Sequence, residues 1–385
     1  RKRLDTIQPQ YWNTTTSQWV TVAQYALGQE FVKPPNDANG DKNEPKLWLN
    51  AITRKSADGT SALPAVQYGY VLQQNRRDNG SAATPMISGA SSLTMPRIDR
   101  ITDPLGGVTT FVYDKSHQCP IVSSGFTRFP YDCFITWNPA GAGGFSIFNK
   151  WKVLSVSVSD SFSGHPAQTI TYSYSTPINH YDDDPVTPSS QKSWGDFRGS
   201  EVVTETDASG AKTEHRFYRG MNGDYTSSGT TYITLSNGDL RVDENWLRGR
   251  EVETRRLKAD NSVLIRSVNW FTWTLTAGSG KTGAYFVGLQ KAEQTTAGTT
   301  PKTTRIENTY GDSYGNVTRQ VLHGNISTTA DDRNVERSYV YSTTAYIVDN
   351  PQWEKLWAGT ASGTAGQELA YTAYAYDNLA VGAAP

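Results

Sequence analysis

The stretch Val202–Tyr218, VVTETDASGAKTEHRFY, has the composition of one β-hairpin. Its first arm is rich in Val and Thr, which favour the pleated backbone of a strand. The reversal ends on Gly210, which adopts a positive φ without a Cβ clash. The second arm ends on the aromatic residues Phe217 and Tyr218. Because one hairpin is marginally stable in water, its importance depends on whether the pattern recurs.

The same pattern does recur along the chain. Clear copies are Ile52–Tyr70, Ile101–Asp114 and Val153–Ser175, and looser copies begin at Val252 and Tyr310. The turn aspartates recur roughly every fifty residues, which is typical of a repeat array; they are Asp58, Asp103, Asp160, Asp207 and Asp260. Because hairpins must pair with their neighbours' open edges, the sequence predicts an all-β fold of consecutive antiparallel hairpins with little helix.

Each copy closes on an aromatic residue, for which we predict a structural role. The residues concerned are Tyr70, Tyr113, Tyr174, Tyr218 and Tyr310. We expect Tyr113, Tyr174, Tyr218 and Tyr310 to pack between sheet layers or neighbouring repeats, with each hydroxyl reaching a turn or solvent.

Composition excludes several classes of partner. The net charge of −1 provides no basic field for nucleic acid or an anionic membrane. No apolar run approaches the roughly 18–20 residues of a membrane-spanning helix. The chain starts at Arg1 and ends on Ala-Ala-Pro, so we expect an internal piece of a longer protein.

A few segments depart from the hairpin pattern. Cys119 and Cys133 are the only cysteines, and their closeness in a chain of extracellular composition favours one structural disulfide over two reduced, buried thiols. The oxygen-rich Asp37–Glu44 and Asp182–Asp184 could hold Ca²⁺, but solvated loops are the favoured interpretation. The short WEKLW segment, Trp353–Trp357, is the best candidate for a short helix.

Three strings carry a resemblance to a known family: ITDPLGGVTTFVYD, FRGSEVVTETDASGAKTEHRFYRGMNGD and YGDSYGNVTRQV. They are similar to the RHS/YD-repeat family of large bacterial surface and toxin proteins, over about Leu47 to Tyr341. The chain departs from the regular Tyr-Asp repeat, since Tyr is displaced or replaced in several copies, as at Trp270.

The resemblance implies a β-sheet strip that spirals into a hollow shell, as in teneurins and the B and C components of toxin complexes. On this interpretation residues 1–385 are a segment of one shell without a separate catalytic domain. The expected function is a non-catalytic scaffold, extracellular or on the cell surface, that encapsulates or presents a toxin or effector. Its expected partner is the rest of its own polypeptide, and no cofactor is expected.

Two alternatives stay open. A surface adhesin could bind a glycan or receptor through exposed aromatic side chains, since the chain has 11 Trp and 21 Tyr. A glycoside-active enzyme is less favoured, because catalysis needs one unlike cluster whereas an array spreads similar residues along its length. The exposure of the aromatic side chains distinguishes the adhesin from the scaffold.

Overall fold

The computed structural model describes residues 3–35, 44–77, 93–115, 117, 130–138, 144–162, 165–225, 229–363, 366–377 and 379–380. Strands hold 57% of the described residues and helix holds 3%. The predicted all-β class is therefore confirmed. The chain divides into two compact units, Arg1–Ser200 with Glu205–Ser209, and Glu201–Thr204 with Gly210–Pro385.

The strands of the first unit are numbered β1 to β14. In chain order they are β1 (Thr6–Ile7), β2 (Gln10–Asn13), β3 (Gln18–Thr21), β4 (Gln24–Val32), β5 (Lys46–Lys55), β6 (Val66–Gln74), β7 (Thr94–Thr102), β8 (Val108–Asp114), β9 (Cys133–Asn138), β10 (Gly144–Asn149), β11 (Lys152–Ser159), β12 (Gln168–Tyr174), β13 (Pro177–His180) and β14 (Asp196–Ser200). One 3-10 turn, Ser189–Gln191, precedes β14.

Strands β15 to β26 follow. They are β15 (Val202–Thr206), β16 (Lys212–Phe217), β17 (Tyr232–Thr234), β18 (Leu240–Val242), β19 (Glu251–Leu257), β20 (Val263–Ala277), β21 (Ala284–Thr296), β22 (Lys302–Tyr310), β23 (Val317–His323), β24 (Arg333–Ser342), β25 (Ile347–Ala358) and β26 (Gln367–Ala373). Two further 3-10 turns are Asn245–Leu247 and Gly280–Thr282.

Both units contain antiparallel sheets of sequential hairpins, as the sequence predicts. In the first unit, β4 to β8 pair in chain order, β8 pairs with β11, and β11 pairs with β12. In the second unit, β16 pairs with β19, and β19 to β26 then pair in chain order. Two-stranded ribbons, such as β9–β10 in the first unit and β17–β18 in the second, lie outside these sheets.

Local turn chemistry explains why the hairpins form where they do. In six turns that join consecutive strands of the main antiparallel sheets, within the described residues, an aspartate Oδ1 accepts the backbone N–H of the residue two positions on, at 2.7–3.0 Å. These side-chain-capped turns fix the reversal without tertiary contacts. The six aspartates are Asp58, Asp103, Asp160, Asp207, Asp260 and Asp312.

The stretch Val202–Tyr218 forms the predicted hairpin arms. β15 and β16 flank a turn in which Gly210 has a φ of +82°, a value that favours glycine. The Phe217 N–H donates to the Glu201 carbonyl oxygen at 2.8 Å, which closes the open end.

Most strand residues are half-buried, and the two clusters of fully buried residues both involve segments inserted between the sheet strands. In the first unit Cys133, Ile135, Ile147 and Trp194 pack together. In the second unit, the segment that carries Ile233, Leu235 and Leu247 packs onto Tyr218, Val252 and Val268. Each core is therefore local to its insertion.

The predicted helix at Trp353–Trp357 is wrong, because this segment lies within β25. Trp353 pairs with Ser338 of β24 on one side and with Ala373 of β26 on the other. Backbone pairing along both edges outweighs the four-residue spacing of the two tryptophans, which also fits a helix.

Candidate functional site: a row of tyrosine latches

A recurring contact links neighbouring hairpins in both units. In each case a tyrosine hydroxyl donates to a backbone carbonyl on an earlier strand of the same unit, and we call this contact a latch. Among the described residues the latches are Tyr113 to Ile98 (2.6 Å), Tyr174 to Val153 (2.6 Å), Tyr310 to Leu289 (3.0 Å), Tyr339 to Val317 (3.0 Å) and Tyr376 to Pro351 (2.7 Å).

Each acceptor carbonyl belongs to the residue immediately before a β-bulge. The register skips one residue directly after the acceptor, as at Gln290 after Leu289 and Thr318 after Val317. The other three skipped residues are Asp99, Leu154 and Gln352. A bulge disrupts the ladder, so carbonyls beside it need another donor. The latch supplies that donor from a side chain.

The latches form a row across each sheet, because each row residue lies opposite the next acceptor. In the first unit, Tyr70 pairs with Ile98, which accepts from Tyr113, and Tyr113 pairs with Val153, which accepts from Tyr174. The geometry thus repeats from one strand to the next.

The second unit contains a longer row. Phe271 pairs with Leu289, Tyr310 pairs with Val317, and Tyr339 pairs with Pro351. These three carbonyls accept from Tyr310, Tyr339 and Tyr376 in turn. The same type of hydroxyl–carbonyl hydrogen bond therefore recurs from β21 to the residues that follow β26.

The row of the second unit begins with a variant of the latch. Here a side-chain amide, instead of a tyrosine hydroxyl, donates to the carbonyl before the bulge. Phe217 pairs with Glu251, whose carbonyl accepts from Asn269 Nδ2 at 3.0 Å. Phe271 lies two residues after Asn269 and has no hydroxyl. The equivalent pair in the next repeat is Asn308 and Tyr310, and both donate to the Leu289 carbonyl.

The latch hydroxyls lose their protons less readily than an exposed tyrosine does. Desolvation raises the pKa of Tyr113, Tyr174, Tyr310, Tyr339 and Tyr376 above the ordinary value for tyrosine. A protonated phenol is the form that can donate to a carbonyl. The raised pKa therefore extends towards alkaline pH the range in which these hydroxyls can donate.

The predicted repeat-closing tyrosines occupy three kinds of position. Tyr113, Tyr174 and Tyr310 form latches, whereas Tyr70 heads a row and packs edge-on against Trp48 with ring centroids 5.4 Å apart. Tyr218 is buried in the second core, 6.1 Å from the Phe271 ring, and burial raises its pKa to about 12. In its hairpin the row position belongs to Phe217.

Sequence reasoning missed Tyr339 and Tyr376 and placed the replaced aromatic at Trp270 instead of Phe271. A usable signal is present, because the strings YVY and YAYD resemble FVYD and YSY of the earlier copies.

The other predicted sites have separate outcomes. Cys133 is fully buried, while Cys119 lies outside the described residues, so the disulfide stays a prediction. Residues 37–43 of the first oxygen-rich segment also lie outside them. In the second segment, Asp182 accepts the Asp184 N–H and Asp184 accepts the Val186 N–H, both at 3.0 Å. These carboxylates cap turns of their own loop.

Two further properties concern only the part of the chain that the structure describes. It contains no group of three or more His, Cys, Asp or Glu side chains placed to hold a metal ion. It also contains no helix with the length and apolar character needed to span a membrane.

Shallow clefts accompany the bulges. Two adjoining clefts of about 360 and 380 Å³ share Gln290, Asn308 and Thr309, and the larger also contains Trp270 and Lys291. A third, of about 350 Å³, lies beside Gly69 and Arg100 in the first unit. Amide and hydroxyl side chains supply half or more of the residues that line each cleft.

The carboxylate in the smaller of the two adjoining clefts accepts hydrogen bonds from residues of its own turn and from one neighbouring tyrosine. Asp312 accepts from the Tyr314 and Asn316 amides, from Asn316 Nδ2 and from the Tyr341 hydroxyl. Desolvation raises the pKa of Asp312, but these hydrogen bonds outweigh it and lower the pKa below its ordinary value. This carboxylate stabilises a turn.

Comparison with known proteins gives structural similarity alone. No family model matches the sequence, and no curated protein matches it. The fold is similar to a TcdB2-TccC3 structure without its hypervariable C-terminal region, with a TM-score of 0.45 and 12% identity over 86% of this chain. It is also similar to a TcdB2-TccC3-Cdc42 structure, with a TM-score of 0.44 and 12% identity over 86% of this chain. The chain spans 19% of the length of each of those two chains.

Proposed function

We propose that this chain is a scaffold segment of an RHS-type β-shell, which encapsulates or presents a toxin or effector carried by the same polypeptide. The proposal rests on the rows of latches, the tyrosine hydroxyl–carbonyl hydrogen bonds described above. The same contact recurs on successive strands, so adjacent hairpins are fastened in the same way along each sheet. Such repetition suits a mechanical role in which each repeat supports its neighbour.

The RHS/YD resemblance of the sequence supports the encapsulating role and the location outside the cell or on its surface. In this arrangement the shell segment contributes rigidity, and the cargo is the remainder of the polypeptide. No catalytic function is assigned to the segment itself.

Limited proteolysis of the whole natural polypeptide tests this proposal. Peptides from the cargo should appear at least tenfold more slowly in the intact protein than in the same protein unfolded in urea and diluted into protease. The isolated cargo segment is the matched control. Equal cleavage rates for the intact protein and the isolated cargo would contradict encapsulation, as would a polypeptide with no segment besides the repeats.

One observation favours the adhesin as a second candidate. The ribbon β2–β3 presents Trp12 and Trp19, which are 49% and 63% exposed, with ring centroids 5.5 Å apart. Exposed indole rings can stack on the apolar face of a sugar. A cross-strand aromatic pair also stabilises the ribbon itself, which is the competing explanation.

A glycan array distinguishes these explanations. If the ribbon is an adhesive site, Trp19→Ala should lose at least tenfold in glycan binding, whereas Trp273→Ala in the second unit retains it. The absence of glycan binding by the unmodified chain would contradict the adhesin, and far-ultraviolet circular dichroism verifies that both variants are folded.

A further inference from the structure

A lysine and an aspartate in the first unit lie in contact away from solvent. Lys152 begins β11 and Asp132 immediately precedes β9. Lys152 Nζ lies 2.7 Å from Asp132 Oδ1, with side-chain exposures of 11% and 0%. A Lys–Asp pair this well shielded is costly as two charges, because desolvation opposes their attraction.

The contact is not a well-aligned hydrogen bond. Lys152 Nζ and Asp132 Oδ1 are both buried, and neither has a hydrogen-bond partner despite their 2.7 Å separation. The exposed pair Lys355–Glu368 differs, since its Nζ donates normally to Oε2 at 2.9 Å. The buried pair therefore has the proximity of an ion pair without its hydrogen bond.

The carboxyl group is held in place from its other side. The His117 N–H donates to Asp132 Oδ2 at 2.8 Å, and His117 Nδ1 lies 3.6 Å from the same oxygen. Two backbone bonds fix the segment, from Asp132 N–H to the His117 carbonyl at 2.7 Å and from Lys150 N–H to the Asp132 carbonyl at 2.8 Å. The Tyr174 ring covers the lysine, with its centroid 4.5 Å from Nζ.

We propose that Lys152 and Asp132 are joined by an intramolecular isopeptide bond. The uncharged amine of Lys152 attacks Cγ of the protonated Asp132 carboxyl group. The new C–N bond forms as the C–OH bond breaks, and the hydroxyl leaves as water with a proton from the amine. The reaction is a condensation, so it requires neither an oxidant nor a reductant.

In this proposal His117 transfers that proton, since its imidazole Nδ1 lies 3.6 Å from Asp132 Oδ2. Fixed proximity of amine and carboxyl group replaces a bimolecular encounter. The amide product is uncharged, which removes the cost of keeping two charges in a shielded position. The bond ties the start of β9 to the start of β11, and it does not depend on the proposed scaffold function.

Mass spectrometry of the intact, fully reduced chain tests the bond. The unmodified protein should weigh about 18 Da less than its sequence predicts, the mass of one water. Lys152→Met should restore the full mass of its sequence. Asp132→Asn should instead show a deficit of about 17 Da, because ammonia leaves in place of water.

Lys355→Met is the matched control for a lysine in an exposed ion pair, and it should keep the deficit of about 18 Da. Tryptic mapping of the unmodified protein should yield a branched peptide and no cleavage after Lys152. His117→Gln should slow formation of the branched peptide during expression at least tenfold. Full sequence mass, together with linear peptides that contain Lys152 and Asp132, would show an ion pair only and overturn the proposal.

Discussion

The Tyr310 hydroxyl donates to the Leu289 carbonyl oxygen at 3.0 Å, at the residue immediately before the bulged Gln290. Asn308 Nδ2 donates to the same carbonyl at 2.8 Å. Two side chains from β22 therefore compensate for one interruption in the β21 ladder. The Tyr310 ring also packs edge-on against Phe286, with centroids 5.2 Å apart.

Because the Leu289 carbonyl has two donors, removing one donor should lower the free energy of unfolding only slightly. Removing both should lower it by more than the sum of the two single losses. Tyr310→Phe should lower the free energy of unfolding by about 0.5–1.5 kcal/mol. Adding Asn308→Ala should reveal a coupling of about 0.5–3 kcal/mol. Urea unfolding of the two single variants and the double variant measures this cycle. Tyr371→Phe, at an exposed position, is the control and should be neutral; strictly additive losses would contradict the shared acceptor.

Gly288 provides a second test of the same row, because the Tyr310 ring lies directly against it. A Cβ at this position would lie 2.4 Å from Tyr310 Cζ. Gly288→Ala should therefore destabilise the fold by about 1–3 kcal/mol through overpacking.

In a Tyr310→Ala background, the Gly288→Ala substitution should cost much less, since the clashing ring is gone. Gly298→Ala is the matched control, because its nearest contact would be the Thr300 carbonyl at an ordinary 3.7 Å. Denaturant midpoints of these variants decide the outcome. An equal cost in both backgrounds would show that the ring is not responsible.

The hairpins were predictable because their turns are local. An aspartate and a glycine within four residues, as at Asp207 and Gly210, specify the reversal without information from elsewhere in the chain. Thr and Val in the adjoining arms favour strands on their own. The class of fold therefore follows from segments of about fifteen residues, each of which has the same pattern of turn and strand residues.

The latch row was only partly predictable, because it depends on register. Whether Tyr310 finds an acceptor is decided by the bulge at Gln290, which arises from the pairing of β20 with β21. The aromatic residue alone therefore does not identify the row position. Tyr218 was predicted to close its hairpin, yet the row uses its neighbour Phe217. The Lys152–Asp132 contact likewise joins the residue before β9 to the first residue of β11 and has no local signal.

The disulfide prediction can be tested directly. Cys119 and Cys133 should be linked, closing a loop of 15 residues counted inclusively (133 − 119 + 1). In the chain-entropy account, such a loop stabilises the fold by roughly 3 kcal/mol. Mass spectrometry of a digest prepared without reduction should show the linked peptides. Two alkylated thiols in native protein would exclude the link and weaken the extracellular assignment.

Alkaline pH should destabilise the second unit through Tyr218. Burial away from water raises its pKa to about 12 from the ordinary 10.0, with Asp243 adding to the shift and Arg241 opposing it. A raised pKa in the folded state means that the stabilising contribution is fully present below pH 10 and is lost as the pH rises towards 12. A shift of about two pKa units corresponds to about 2–3 kcal/mol.

Tyr218→Phe removes this titration while keeping most of the buried ring. The unmodified protein should therefore lose about 2–3 kcal/mol of unfolding free energy relative to Tyr218→Phe between pH 10 and pH 12. Urea unfolding at several pH values measures the difference, and Tyr371→Phe is the matched control for the loss of one tyrosine. Parallel pH profiles for the unmodified protein and Tyr218→Phe would mean that Tyr218 ionises without unfolding its surroundings, contrary to its burial against Phe271 and Val268.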